Sequence, residues 1–280
     1  MKPSVFEMHR PRELGEALDL LERFGDDARL IAGGQSLVPM MNLRIAAPAV
    51  LIDLNAVRDL TGIRRDGDVV RIGAMTRQQA LLTNDLVRQC APLMVEAARH
   101  VGHYSTRSRG TVGGSLANAD PSSELALVAV TLRARLTVRS AKQERIVEAD
   151  DFFLDALKTA LQPNEMLTEI AVPVAPEGSK VAFCEHSRRH GDFAIASAAA
   201  QLSPTQGIMR IGLGAVGPVP IACQRIEDSF GQANFAASLD ALVAAELADV
   251  EALSDIHTSG EYRRKVAAVC LSDCVRKLIA

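Results

Sequence analysis

The 280-residue sequence contains no tryptophan and two tyrosines, and aromatic residues make up 4% of it. Grip on single-stranded nucleic acid relies on stacking bases against aromatic rings, so this chain is a poor candidate for that work. It also lacks a cationic excess: 31 Lys and Arg face 34 Asp and Glu, a net charge of -3, where a binder of phosphate backbones needs clustered positive charge. Cysteine is sparse. Cys90, Cys184, Cys223, Cys270 and Cys274 are odd in number and include no C-x-x-C pair, so neither a disulfide framework nor a zinc or iron–sulfur site is written in this chain. Long apolar runs are missing too. Lys2, Glu7, Arg10, Arg12, Glu13 and Glu16 interrupt the amino-terminal segment, which argues against a signal-peptide core, and no stretch approaches the ~20 apolar residues of a membrane span. The expected location is the cytoplasm. What remains is an ordinary globular composition, 48% hydrophobic and 23% charged, of a length that predicts about two domains.

Leu14, Ala17, Leu18, Leu20 and Leu21 recur at helical spacing after Pro11 and predict a helix ending near Gly25. Apolar runs at 28–32 and 50–54 read as strands, with a turn of helix between them that Ser36 is placed to cap. Further along, 69–72 reads as a strand, 77–90 and 93–101 as helices, and 102–123 as a polar, glycine-rich stretch. The segment 124–132 is apolar, 134–138 alternates as a strand should, and 167–172 is another strand ending at Pro173. Pro173, Pro176 and Gly178 make 173–178 the best linker, and a domain boundary is placed there. Beyond it, 181–183, 195–202 and 208–213 read as strands, followed by alanine-rich helices of which the last opens at Ser259.

Two glycine pairs stand out, each between an apolar run and a helix or second apolar run. The first is carried by Ile31, Ala32, Gly33, Gly34, Gln35, Ser36 and Leu37; the second runs from Arg109 through Thr111, Gly113, Gly114 and Ser115 to Asn118. Adjacent glycines let the backbone turn tightly and bring successive N–H groups to a pyrophosphate, although a Gly-Gly pair alone is more often simply a turn. The residues permit a dinucleotide without choosing one. A third cluster, Gly212, Gly214 and Gly217, formally matches G-x-G-x-x-G, but Pro218 and Pro220 follow and no helix opens through it, so it reads as a strand and turn. The pairs His100/His103 and His186/His190 lack partners at metal-ligand spacing, and no nucleophile with a base can be picked out.

Taken together and in this order, the two loops resemble those of the FAD-binding medium subunit of the molybdenum hydroxylases, the xanthine dehydrogenase and carbon monoxide dehydrogenase family. The first likeness includes Asn42, Leu43, Arg44 and Ile52, Asp53, Leu54; the second continues from Arg107 through Ala117, Asn118, Ala119, Asp120, Pro121 to Glu124. It extends to Arg188–Phe193, Leu213–Pro218 and Glu261–Arg264, and so covers nearly the whole chain.

The resemblance implies an α+β chain: an FAD-binding fold of the vanillyl-alcohol-oxidase (PCMH) type over 1–175, with α/β subdomains at about 1–57 and 58–175. A carboxy-terminal domain of small antiparallel sheet plus helices would follow over 178–280. It implies that 31–37, with Thr111, Gly113, Gly114, Ser115 and Asn118, hold the FAD, its pyrophosphate above all. Glu124 would bind sugar or ribityl hydroxyls, Leu167 would cover the adenine or an adjoining part, and Phe193 would lie near the flavin ring. Some relatives carry a lysine near the strand holding Phe183; Cys184, Glu185 and His186 supply none. The implied role is electron transfer, from a [2Fe-2S] subunit through FAD to an external acceptor, in a heterotrimer whose large subunit carries molybdopterin, with no catalytic residue or metal on this chain. Two rivals stay open at this stage: a self-contained flavin oxidase or reductase of the same superfold, and a nucleotide-binding or assembly module without redox activity.

Overall fold

The computed structural model describes residues 1–280, which build three larger sheets, each with its own cluster of buried side chains, and a two-stranded ribbon of Phe153–Asp155 and Lys158–Thr159. The first is parallel, with Val50–Asp53 at its centre between Glu7–His9 and Ala28–Ile31. The helix Leu14–Phe24 lays Ala17, Leu18 and Leu21 on it, one turn apart as the spacing predicts, and stops where Gly25 takes a φ of 49°.

The second sheet is antiparallel, in the order Ile63–Asp66, Val69–Gly73, Met166–Pro173, Arg135–Arg139, Glu144–Glu148. Against it pack the helices Pro92–His100, Val112–Asn118 and Glu124–Thr131, around the largest core, which contains Ile72, Leu93, Leu116, Leu125 and Leu136. Seven of the eight residues of Glu124–Thr131 are buried, because the strands Ala194–Ser203 and Ile208–Gly214 cover one side of the helix and the helices Pro92–His100, Val112–Asn118 and Ala149–Phe152 cover the others.

The third sheet, Lys180–Ser187, Ala194–Ser203, Ile208–Gly214 and Ile221–Ala222, is antiparallel and covered on both faces. Helix Gly260–Ile279 lies on one face and Glu124–Thr131 on the other. Every residue of Ala194–Ser203 is buried, and its alternate positions feed different cores: Ala199 joins the large one, Ala198 and Ala200 the third. Five alanines in that strand let two helical layers approach it closely. The last helix opens at Ser259, whose hydroxyl accepts from the Tyr262 N–H at 3.3 Å. The cluster Gly212, Gly214 and Gly217 is strand and turn, as its prolines demand.

Several elements differ from the sequence reading. The stretch 77–90 is two short helices, Gln78–Thr83 and Asp85–Cys90, because the Asn84 side chain accepts from the Val87 N–H at 3.1 Å and caps a new start. The polar stretch 102–123 contains the helices Tyr104–Arg109 and Val112–Asn118. Ser36 precedes the helix Leu37–Asn42 but sits in helical backbone, and its hydroxyl makes no cap bond. No helix is long and apolar enough to cross a membrane.

Candidate functional site

The two glycine loops meet. A Cβ at Gly33 would collide with the Arg109 carbonyl oxygen and lie 2.7 Å from the Gly110 Cα, so the backbones touch where only glycine fits. Gly113 is pressed as tightly against the strand behind it: a Cβ there would collide with the Ala74 side chain and stand 2.7 Å from the Ala74 Cα. A clamp of side chains fixes the junction. Asn55 Nδ2 donates to the Ala32 carbonyl at 2.9 Å, Arg77 Nη2 donates to Asn55 Oδ1 at 2.7 Å, and Arg77 Nη1 donates to the Arg109 carbonyl. Burial and then the neighbouring Arg109 charge lower the Arg77 pKa, but a guanidinium keeps its charge at neutral pH.

In front of the junction lies a cavity of about 950 Å³, at the upper end of the ~300–1,000 Å³ typical of ligand and cofactor sites. Ala32, Gly33, Gly34, Gln35, Ser36, Leu37, Thr111, Gly113, Gly114, Ser115, Asn118, Glu124, Leu167 and Phe193 all line it. Ile31 does not; it ends the strand Ala28–Ile31 and packs behind Gly34, whose Cβ would lie 3.5 Å from its Cδ1. A bulge between Leu167 and Glu169 breaks the register beside Leu167 at the cavity wall. Phe193 is 75% exposed at the rim, an unusual position for a large aromatic side chain without a partner.

The two loops differ in chemistry. None of the backbone N–H groups of Gly33, Gly34, Gln35, Ser36 and Leu37 donates to an acceptor in the chain, so five successive donors are left for something in the cavity. In the second loop Gly110, Val112, Gly113 and Ser115 donate to backbone carbonyls, and Gly114 to the Thr111 hydroxyl at 3.0 Å. Its one free backbone donor is the Thr111 N–H, and the Ser115 hydroxyl is paired with that of Ser123 at 2.9 Å. An anion of two adjacent phosphates fits the first loop by donor chemistry and by the space its glycines leave open.

Glu124, in the first turn of its helix, has its carboxyl raised to about 8, chiefly by burial, partly offset by a bond to its own backbone N–H and reinforced by the Glu185 charge. At neutral pH it holds a proton and can donate one hydrogen bond into the cavity as well as accept. Behind it His100 Nδ1 lies 3.7 Å from Glu185 Oε1, and bonding to that carboxylate raises the His100 pKa.

The carboxy-terminal part supplies wall residues that sequence patterns did not single out as a site: Arg188, Asp255, His257, Thr258 and Arg263. Arg188 Nη1 and His257 Nδ1 are 2.9 Å apart. Arg263 is buried and donates to the carbonyls of Ile195 and Ala215, both at 2.7 Å, to Leu253 at 3.0 Å and to Asp255 at 2.6 Å, tying the last helix to the rim. Arg188 and Arg263 fall within stretches that resembled the family; His257 had no signal.

Residues 4–175 match the family model of the FAD-binding domain in molybdopterin dehydrogenase, and 181–278 that of the carbon monoxide dehydrogenase flavoprotein carboxy-terminal domain. The chain belongs to the FAD-binding subunits of the molybdenum hydroxylases. It is 36% identical over 284 residues to the 6-hydroxypseudooxynicotine dehydrogenase complex subunit alpha of Paenarthrobacter nicotinovorans, covering 100% of this chain and 96% of that one. It is 37% identical over 281 residues to the carbon monoxide dehydrogenase medium chain of Afipia carboxidovorans, covering 99% and 98%. Among solved structures it superposes on a carbon monoxide dehydrogenase from Hydrogenophaga pseudoflava, which lacks the Mo-pyranopterin moiety of its molybdenum cofactor. The TM-score is 0.96 at 35% identity, over 100% of this chain and 99% of that chain. Its relatives are subunits of oxidoreductase complexes, and this flavoprotein subunit is an oxidoreductase component of the same kind. The α+β architecture expected from the loops, an FAD-binding domain followed by an antiparallel sheet with helices, is the one observed.

Proposed function

We propose that this chain is the electron-transfer subunit of a three-subunit molybdenum hydroxylase, accepting electrons from a [2Fe-2S] subunit and delivering them through FAD to an external acceptor. The observation that carries this reading is the run of five unengaged N–H donors at 33–37, on a loop that lines a cavity of about 950 Å³. Bound FAD supplies the redox chemistry, taking electrons in pairs or singly and passing them on. The chain's residues bind and orient it. Gly33 to Leu37 hold the pyrophosphate, with Thr111, Gly113, Gly114 and Ser115 closing the opposite wall and Asn118 beyond them. Ile31 and Ala32 set the approach of the loop, and Glu124 bonds sugar hydroxyls. Leu167 would cover the adenine side, and Phe193, at the open rim, would lie near the ring system. The domains proposed for this work are 1–175 and 178–280.

Substrate oxidation on this reading takes place on a molybdopterin subunit. The test is to purify the tagged full chain from its native host. Expected are co-purifying large and small subunits carrying molybdenum and iron–sulfur clusters, one FAD per copy of this chain, and flavin reduction by substrate only in the assembled complex. An isolated chain that turns over a small organic substrate unaided would replace this reading with that of a self-contained flavin oxidase.

A further inference from the structure

Cys184 lies on Lys180–Ser187, the edge strand of the third sheet, with its side chain turned away from the flavin cavity toward the last helix. Two turns of that helix bring Cys270, Cys274 and Lys277 over it. The ammonium of Lys277 lies 3.3 Å from Cys184 Sγ, although Asp273 is one turn away on the same helix and Lys277 makes no ion pair. Apolar packing explains buried cysteines, but it does not draw a lysine head to a sulfur. The Cys274 thiol donates to the Ala198 carbonyl at 3.2 Å, and Ala198 is the cross-strand partner of Cys184, so Cys274 stands beside Cys184 at the sheet edge. Both neighbours favour the thiolate of Cys184, the Cys274 bond first and Lys277 next, and lower its pKa; Asp273 opposes them weakly. Donation raises the pKa of Cys274, and burial pushes the Cys270 thiol up to about 12.

We propose that Cys184 and Cys274 form a peroxide-reactive thiol pair, Cys184 attacking, Cys274 resolving, and Lys277 holding the attacking thiolate. In the first step the Cys184 thiolate attacks one oxygen of hydrogen peroxide: an S–O bond forms, the O–O bond breaks, and hydroxide leaves and takes a proton to become water. Cys184 is then a sulfenic acid, oxidised by two electrons. In the second step the Cys274 sulfur attacks that sulfur: S–S forms, S–O breaks, and hydroxide leaves with the Cys274 proton as a second water. Two thiols and one peroxide become one disulfide and two waters, and the last helix is strapped to the sheet edge. The pair is separate from the flavin site, so the proposal stands or falls independently of the electron-transfer reading.

The test uses the full chain, first with iodoacetamide at pH 7 and peptide mass spectrometry. Cys184 is expected to alkylate at least ~10-fold faster than Cys90, Cys223 and Cys270, internal controls that are buried as Cys184 is but have no lysine within hydrogen-bond distance, and Lys277→Met, a change on an exposed helix position, is expected to erase most of that advantage. Treatment with hydrogen peroxide followed by thiol blocking should give a peptide linked through Cys184 and Cys274. In Cys274→Ser, or in Cys274→Ala if the serine variant is unstable, dimedone should trap a sulfenic acid at Cys184. Alkylation of Cys184 no faster than the controls, or free thiols at both positions after peroxide in a chain with an unchanged circular dichroism spectrum, would overturn the proposal.

Discussion

The two glycine loops look alike in sequence and differ in what their backbones do. The loop at 33–37 leaves five consecutive N–H groups without an acceptor, whereas the loop at 110–115 consumes all but one of its own in holding helix Val112–Asn118 against the strands behind it. On the proposed reading one is a binding surface and the other a scaffold. The lesson is that a Gly-Gly pair needs a hydrogen-bond account before it is given a ligand, because glycine serves close approach in both loops and exposes donors in one.

The comparison can be broken at its scaffold half first. Gly113→Ala drives a methyl into Ala74 backbone and side chain in a core that has no room to shift, and is expected to cost at least ~3 kcal/mol of stability, read from urea unfolding, with flavin lost as a consequence. Gly33→Ala is expected to leave most of the core intact while separating the loops at Arg109 and Gly110, so FAD content falls more than ~10-fold with a smaller loss of stability. Equal effects on stability and on flavin in the two variants would erase the distinction. Arg77→Met removes the clamp between Asn55 and the Arg109 carbonyl, and isothermal titration should show FAD affinity weakened ~5–10-fold, a loss of about 1–1.4 kcal/mol of binding.

Ser36→Ala sharpens the comparison from the other side. Its hydroxyl caps nothing, so thermal unfolding should move by less than ~0.5 kcal/mol, where loss of a working cap costs ~1 kcal/mol. The Glu124 carboxyl supplies a pH signature. The folded chain keeps this proton up to about pH 8, while the unfolded chain releases it near the ordinary 4.5, so stability of the flavin-free chain declines as pH rises between those values. Glu124→Gln should flatten that decline, gaining most over the wild type at pH 8 and least at pH 5; a parallel pH profile would show that the carboxyl is ionised in the fold.

Much of this was legible in the sequence where burial dominated. The strands Ala28–Ile31 and Val50–Asp53 show as apolar runs, and the strand Ala194–Ser203 as an alanine-rich run whose few polar residues, Ser197, Gln201 and Ser203, are buried with the rest. The edge strands Glu7–His9, Ile63–Asp66 and Glu144–Glu148 were not, because solvent covers one side and charged residues such as Arg64, Glu144 and Glu148 blur the alternation. At the site, the loop residues were readable as chain neighbours. The clamp of Asn55 and Arg77 and the rim pair Arg188 and His257 were not, since these partners lie 22 and 69 positions apart and are brought together only by the meeting of sheets.

The central claim, that 33–37 is the anion-binding half of a flavin site, is tested most directly by titrating FAD into the flavin-free chain and its Gly33→Ala variant and following the visible flavin spectrum after removal of excess cofactor. The predicted result is saturation at one FAD per wild-type chain and negligible retention by a variant that is still folded. A folded wild-type chain that takes up no FAD, or a Gly33→Ala chain that binds it as tightly as the wild type, would contradict the account.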